Sequence, residues 1–341
     1  ALAARANDAP GRKPEAIKAR LAEQIATSLE ASDRLDPDRL HQEAILMASG
    51  SEVLVLRVSH ADGADPEQLH ADAWRTHVGG ADAARDRAAP REAEPHLSEA
   101  VDALRASGVA AVGSLLVKGE PAEAIVEVAE RLDAGLLVMS SHGLGGLKRA
   151  VLGSVAEHVV RHARGIPVLL SRPLPAGADA RIERVLLTLD GSELSAAARP
   201  HAEHIARATG AELVILRVTD SVAQLLVATT PIGADVPIGS ISVETAEIVA
   251  AEQRATAHDE LAAIETELGA AGFPRVAVEL AEGHAGDAIL AAAARRHADI
   301  VVMATHGRSG LGRVLFGSTA DFVTRNVEDA AVLLVRPPSE G

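Results

Sequence analysis

A chain of 341 residues that is 48% hydrophobic but holds only three Phe, one Trp and no Tyr must build its cores from Ala, Val, Leu and Ile, and it is long enough for two domains. Its formal charge of −15 opposes a phosphate-backbone partner, whose recognition needs clustered Lys and Arg, and so few aromatics offer no stacking platform, so no nucleic-acid partner is expected. The lack of cysteine excludes disulfides and thiolate-held metals, and no apolar run reaches the roughly 18 residues of a membrane span.

Along the chain, Ala1 to Arg20 mixes charges throughout and lacks the apolar centre of a signal peptide, so a cytoplasmic location is expected. Residues 1–22 are read as an N-terminal extension. The first strand is expected near Gln24–Leu29 (QIATSL), a weak apolar run, and a second ends at Val58 in SGSEVLVLRV. His60 to Pro95 is polar and expected to be partly irregular. GEPAEAIVEVAERLDAG then has helical spacing and leads into an apolar strand, a glycine loop, a helix and a last strand. Turn-formers cluster at Pro173–Asp179 (PLPAGAD), which sets a first domain at 23–173, a linker at 174–183 and a second domain at 184–341.

The second half is the cleaner copy. Strands are expected at Arg184–Leu189, Glu212–Val218, Arg275–Leu280, Asp299–Met303 and Ala331–Val335. Helices are expected at Ser195–Ala208, Val243–Leu268, Ala285–Arg296 and Ser318–Asn326, with a segment rich in Pro and Gly over Asp220–Ser240. The strands are continuous apolar runs alternating with helices, the pattern of a parallel sheet covered on both faces. Two tandem repeats of a five-stranded parallel open sheet with helices on both faces are therefore expected.

The repeat is explicit. Ala134–Pro173 and Ala298–Pro337 align without a gap at an offset of 164, with eighteen of forty positions identical, which makes the chain a duplication. The best-kept part is a loop: Ser140-Ser141-His142-Gly143, nine residues, then Gly153-Ser154-Val155 in one half, and Ala304-Thr305-His306-Gly307, nine residues, then Gly317-Ser318-Thr319 in the other. Glycine lets a backbone approach a ligand closely, and a Gly-Ser helix start offers unpaired amides and the positive end of the helix dipole, where phosphate is stabilised. Ser154 with Glu157 and Ser318 with Asp321 also fit a capping box, a purely structural reading of the same residues. Arg308 follows the second-half glycine within reach of a phosphate, where the first half has Leu144. Arg149 and Arg313 match each other among apolar residues of the loop, where solvation at the rim and contact with a ligand are both open.

The pattern Gly, two residues, Gly, nine residues, Gly, Ser or Thr resembles the ATP-binding pattern of the universal stress protein family, in its two-domain form. Both halves keep the second and third glycines and the Ser. The first glycine is Ser140 in one half and Ala304 in the other. The resemblance implies an adenine nucleotide alpha-hydrolase-like, Rossmann-like fold and a site for ATP with magnesium on its phosphates. It also implies a carboxylate after the first strand that meets the adenine, here Asp190, and a backbone contact at the end of the second strand, here Val218. Glu30 and Val58 take those places in the first half, so the second half is closer to the pattern. Asp190 is equally a turn former in Asp-Gly-Ser.

His142 and His306 flank the loops with no nucleophile or paired carboxylate to complete a catalytic set. His158 and His162, four apart like a zinc-binding pair, and His201 and His204 are read as surface residues. The leading expectation is a stress-response protein that binds ATP and acts by nucleotide-dependent association with an unknown protein partner. The halves would be paired about a pseudo-two-fold axis, as the resemblance implies, and a homodimer is admitted. The rivals are a slow ATPase or phosphotransferase using His306, and an interaction module without nucleotide.

Overall fold

The computed structural model describes residues 41–48, 53–59, 101–102, 104–106, 112–140, 152–171, 181–228, 242–305 and 317–336. The chain divides into two compact units, with the change between Ile182 and Glu183. Each contains a five-stranded sheet.

In the first unit β1 (His41–Ala48), β2 (Val53–Ser59), β3 (Val112–Lys118), β4 (Ala134–Ser140) and β5 (Val168–Ser171) lie in the order β3-β2-β1-β4-β5. Helix α1 (Pro121–Arg131) links β3 to β4 and α2 (Ser154–His162) precedes β5. Proline at the first turn of α1 gives up an amide that has no intrahelical partner there, and Ala124, Ile125, Val128 and Ala129 form its buried stripe. Leu137, Val138 and Met139 of β4 and Leu169 and Leu170 of β5 are buried in the core.

Here the expected parallel sheet needs a correction. β2 pairs β3 and β4 pairs β5 in parallel, but β1 runs antiparallel to both β2 and β4. Only residues 49–52 join β1 to β2, and a parallel crossover needs about a dozen residues or more. The strand beside β4 is thus His41–Ala48, entering from the other end. Gln24–Leu29 lies outside the described residues, as does the stretch His60 to Pro95.

The second unit has β6 (Arg184–Leu189), α3 (Glu193–Ala196), α4 (Arg199–Thr209), β7 (Glu212–Thr219), α5 (Val222–Ala228), α6 (Val243–Ala270), β8 (Val276–Glu282), α7 (Ala285–Arg296), β9 (Ile300–Ala304), α8 (Ser318–Asn326) and β10 (Ala331–Val335). All pairings are parallel, in the order β8-β7-β6-β9-β10. Val185, Leu186 and Leu187 of β6 and Leu213 to Leu216 of β7 have no solvent exposure, as befits strands covered on both faces. α4 stops at Gly210, whose φ of +75° ends the helix in the left-handed region. The Ser242 hydroxyl caps the 28-residue α6 by accepting from the Thr245 amide at 3.1 Å.

β9 begins one residue later than the apolar run suggests because Asp299 is spent on backbone. Its Oδ2 accepts the amides of Glu183 at 2.7 Å and Arg184 at 2.8 Å, at the entry of β6. Within Asp220–Ser240, the segment with Pro and Gly where the sequence marks no element, Val222–Ala228 forms α5, and residues 229–241 lie outside the description. Among the described residues no helix is long and apolar enough to cross a membrane.

Candidate functional site

In the order β8-β7-β6-β9-β10 the chain winds one way from β6 to β8 and the other way from β9 to β10. The reversal opens a crevice outside the carboxyl ends of the neighbouring β6 and β9, where open sheets of this kind take ligands. The segments leaving those two strands therefore form the site: the turn Asp190-Gly191-Ser192 after β6, and Thr305 with the amino end of α8 after β9.

The β6 turn is held by its own side chains. Asp190 Oδ1 accepts from the Ser192 amide at 2.9 Å and from Ser192 Oγ at 2.5 Å, and Gly191 supplies the φ of +80° that the reversal requires. Ser192 Oγ in turn accepts from the Ser195 amide at 3.1 Å and caps α3. The buried Ser195 hydroxyl donates to the Ser192 carbonyl at 2.9 Å and accepts from the Asp190 amide at 3.2 Å. Asp190 is thus a turn former in fact, and it stands half-buried at the crevice.

The β9 side offers amides. Gly317 is the N-cap of α8, with φ −60° and ψ 140°, and among the described residues no side chain caps the helix. Its own amide donates to the Thr305 carbonyl at 2.8 Å, while Thr305 donates its amide to Val335 at 3.0 Å, so the helix start is tied to β10. The first bond along the helix is Asp321 N–H to Gly317 O at 2.9 Å, which leaves the amides of Ser318, Thr319 and Ala320 ahead of the intrahelical ladder.

The capping-box reading of the Ser residues is corrected by this geometry. Ser318 and Ser154 are the first helical residues, with Gly317 and Gly153 at the caps and no side-chain cap bond at either helix. The acidic residues turn along the helix instead: Asp321 pairs Arg325 at 2.8 Å and Glu157 pairs Arg161 at 2.5 Å. The four-residue spacing lets each arginine reach the carboxylate one turn back. Two uncapped helix starts, each behind a glycine, are what a bound phosphate needs.

Of the other expected site residues, Val218 is half-buried near the end of β7 and in register with Ala281, and Ala304 closes β9 opposite Val335. In the first unit Val58 lies in β2 in register with Gln42, Ser140 closes β4 opposite Ser171, and Gly153, Ser154 and Val155 open α2. Gly143, Gly307, Arg308, His142, His306, Arg149, Arg313 and Glu30 lie outside the described residues. Because β1 is antiparallel, its amino end, with His41 beside Ser59, faces the carboxyl ends of β2 and β4. Among the described residues no strand exit like that of β6 reaches the first mouth.

His158 and His162 stack on each other, with ring centroids 4.0 Å apart. Burial and the neighbouring His162 push the His158 imidazole below its ordinary value against the opposing pull of Glu123, so it is not a plain surface group. His201 on α4 is likewise lowered, by burial and then by His204. Among the described residues no group of three or more His, Asp or Glu side chains is placed to hold a metal ion. Ser192, Ser195 and Arg217 were not legible as site residues. The signals were a second serine three residues after the first in Ser192-Glu-Leu-Ser195, and a lone arginine inside the apolar run of β7.

Fold and site together define a tandem, doubly wound α/β protein with a glycine-bordered helix start at each sheet mouth. The universal stress protein family matches it over residues 36–172 and 181–336, and the chain belongs to that family. It is 30% identical over 204 residues to a universal stress protein of Mycolicibacterium smegmatis, a match covering 60% of this chain and 62%, less than two thirds, of that relative. A universal stress protein of Mycobacterium tuberculosis is 30% identical over 225 residues, 66% of this chain and 69% of its own. The crystal structure of a universal stress protein from Archaeoglobus fulgidus shares the fold, with a TM-score of 0.53 and 23% identity over 74% of this chain and 78% of that one.

Proposed function

We propose that the second unit binds ATP at the β6–β9 crevice, and that the chain acts by changing its associations when nucleotide is bound rather than by efficient catalysis. The observation that carries this reading is the amino end of α8: three amides ahead of the helical ladder, a glycine at the cap, and among the described residues no side chain capping them. Ser318 and Thr319 would hold phosphate by backbone and hydroxyl, with Gly307 and Arg308 from the loop before them. The carboxylate of Asp190 and the backbone of Val218 would take the adenine end. ATP rather than a smaller anion is supported by the spacing Gly307, nine residues, Gly317, which resembles the family's ATP pattern. Magnesium would ride on the phosphates, since no carboxylate set is placed for it among the described residues.

Among the described residues the mouth offers amides and a carboxylate already committed to its own turn, groups that hold a ligand rather than move a proton. In the first unit Ser140, Gly143, Gly153, Ser154 and Val155 repeat the phosphate end, and among the described residues no counterpart of the Asp190 turn accompanies them. One nucleotide per chain is the stoichiometry that this difference implies. Mass spectrometry of the denatured, freshly purified protein, with quantified stoichiometry, tests this: about one adenine nucleotide per chain is expected, and none, with no ATP uptake in calorimetry, overturns it.

A further inference from the structure

Arg217 is a charged residue inside the apolar strand β7, and it is only 7% exposed. Its place is set by register, because Arg217 lies directly beside Leu189, the last residue of β6 before the Asp190 turn. Nη1 donates to the Leu189 carbonyl at 3.4 Å, and Nε lies 3.5 Å from Oε2 of Glu260 on α6. The guanidinium also fills the space that a side chain at Gly191 would need. A Cβ there would overlap Arg217 Nη2 and lie 2.9 Å from Cζ. Gly191 is thus constrained twice, by its φ of +80° and by the arginine packed against its bare Cα.

We propose that Arg217 is the positioning residue of the nucleotide site, bracing the Asp190–Ser192 turn from beneath so that the Asp190 carboxylate is held at the crevice. The inference rests on the ATP reading and names the group that sets its adenine end. The turn is then fixed from two sides: Ser192 ties Asp190 Oδ1 on one, and the guanidinium supports Gly191 and the Leu189 carbonyl on the other. Arginine suits the role because its planar fork reaches the carbonyl and Glu260 together, which the single ammonium of lysine does not. Desolvating that charge is costly, and Glu260 offsets part of the cost from a helix not otherwise part of the site. The first unit has arginine at the same repeat position, Arg57, but there β1 is antiparallel and Arg57 is in register with Glu43, not with a residue entering a glycine turn. Among the described residues the brace is seen in the second unit.

Calorimetric ATP titrations and thermal melts of the full chain test this with Arg217→Ala, Gly191→Ala, the double variant and Glu260→Gln. Arg217→Ala is expected to raise Kd about tenfold at unchanged stoichiometry, the usual worth of a hydrogen bond to a charged group. Gly191→Ala alone is expected to bind worst, and adding Arg217→Ala to it is expected to recover affinity, because the methyl group then has room. Glu260→Gln, a change at a half-exposed side chain that leaves folding intact, is expected to raise Kd about threefold. A merely structural role would lower the fraction of binding-competent chains and leave the Kd of the remainder as it was. Unchanged Kd in Arg217→Ala, or losses that simply multiply in the double variant, overturns the proposal. Should Arg217→Ala fail to fold, unchanged Kd in Glu260→Gln overturns it. Wild-type protein that takes up no ATP overturns the functional reading itself, and the melts of the same variants then decide separately whether Arg217 and Gly191 are coupled.

Discussion

The amino ends of α2 and α8 are near copies of one another, whereas the strands that enter the two sheets are not. Both helices start behind a glycine, lack a side-chain cap, carry an acidic residue paired four positions on, and close with the C-cap amide bonded to the carbonyl four residues back. Yet β6 is parallel to its neighbours and releases the chain into the Asp190 turn, while β1 is antiparallel and does not. The duplicated loops thus sit beside strands of opposite direction. In the proposed reading the phosphate end lies in one contiguous stretch that both halves keep, whereas the adenine end draws on a strand more than a hundred residues away in the chain.

The widest separation between the halves is expected from Gly317→Val and Gly153→Val. Both caps sit near φ −60°, which valine adopts without strain, so any loss reports crowding of the ligand and not a distorted backbone. Titration with ATP should show about a hundredfold loss for Gly317→Val, equivalent to roughly 2.7 kcal/mol, and less than about threefold for Gly153→Val. Equal losses would make the two mouths equivalent and break the comparison.

A smaller contrast lies between α7 and α8. A Cβ at Gly286 would overlap the Phe322 ring, with Cε1 only 3.0 Å away. The first half has Ala122 and His158 at the two corresponding places. Gly286→Ala should cost about 1–3 kcal/mol of stability through overpacking. In a Phe322→His background the same change should be neutral or stabilising by about 0.5–1 kcal/mol, since glycine no longer has a reason to be in the helix. Denaturant unfolding of the four proteins measures both.

The smallest effect concerns His201. Burial and His204 lower its folded value below the ordinary 6.5, so its contribution to stability is whole above pH 6.5 and falls as the pH drops below it, where the unfolded chain binds the proton first. Melting temperature should decline between pH 7 and 5.5, and His201→Gln should flatten that slope slightly. An unchanged slope would show that His201 does not couple to folding.

Much of the second half was legible in its sequence. β6, β10, α7 and α8 have the bounds that their apolar runs and flanking turn-formers suggest, because a buried parallel strand needs a continuous apolar run and a helix a periodic one. α5 was hidden among Pro and Gly residues. β1 was missed for a more instructive reason. His41–Ala48 lies 160 residues before His201–Ala208 of α4 and shares its His, Glu, Ile and final Ala. Between them, however, Ala44 to Met47 is an unbroken apolar run, where α4 interposes His204 and Arg207. Such a run suits a strand covered on both faces. The glycine loops mark the proposed phosphate end of the site by their spacing and by the family pattern it resembles. The brace beneath Asp190 was not visible, because register between β6 and β7 is a property of the sheet and not of either segment.

Asp299 carries a consequence for dissection of the molecule. Its carboxylate grips the two amides at Glu183 and Arg184, more than a hundred residues upstream, and so staples the opening of the second unit to its centre. A fragment cut ahead of Glu183 keeps that clasp, whereas one trimmed to Val185 leaves the Asp299 carboxylate without those two amides. The equivalent residue in the first unit is Gly135, which has no such grip.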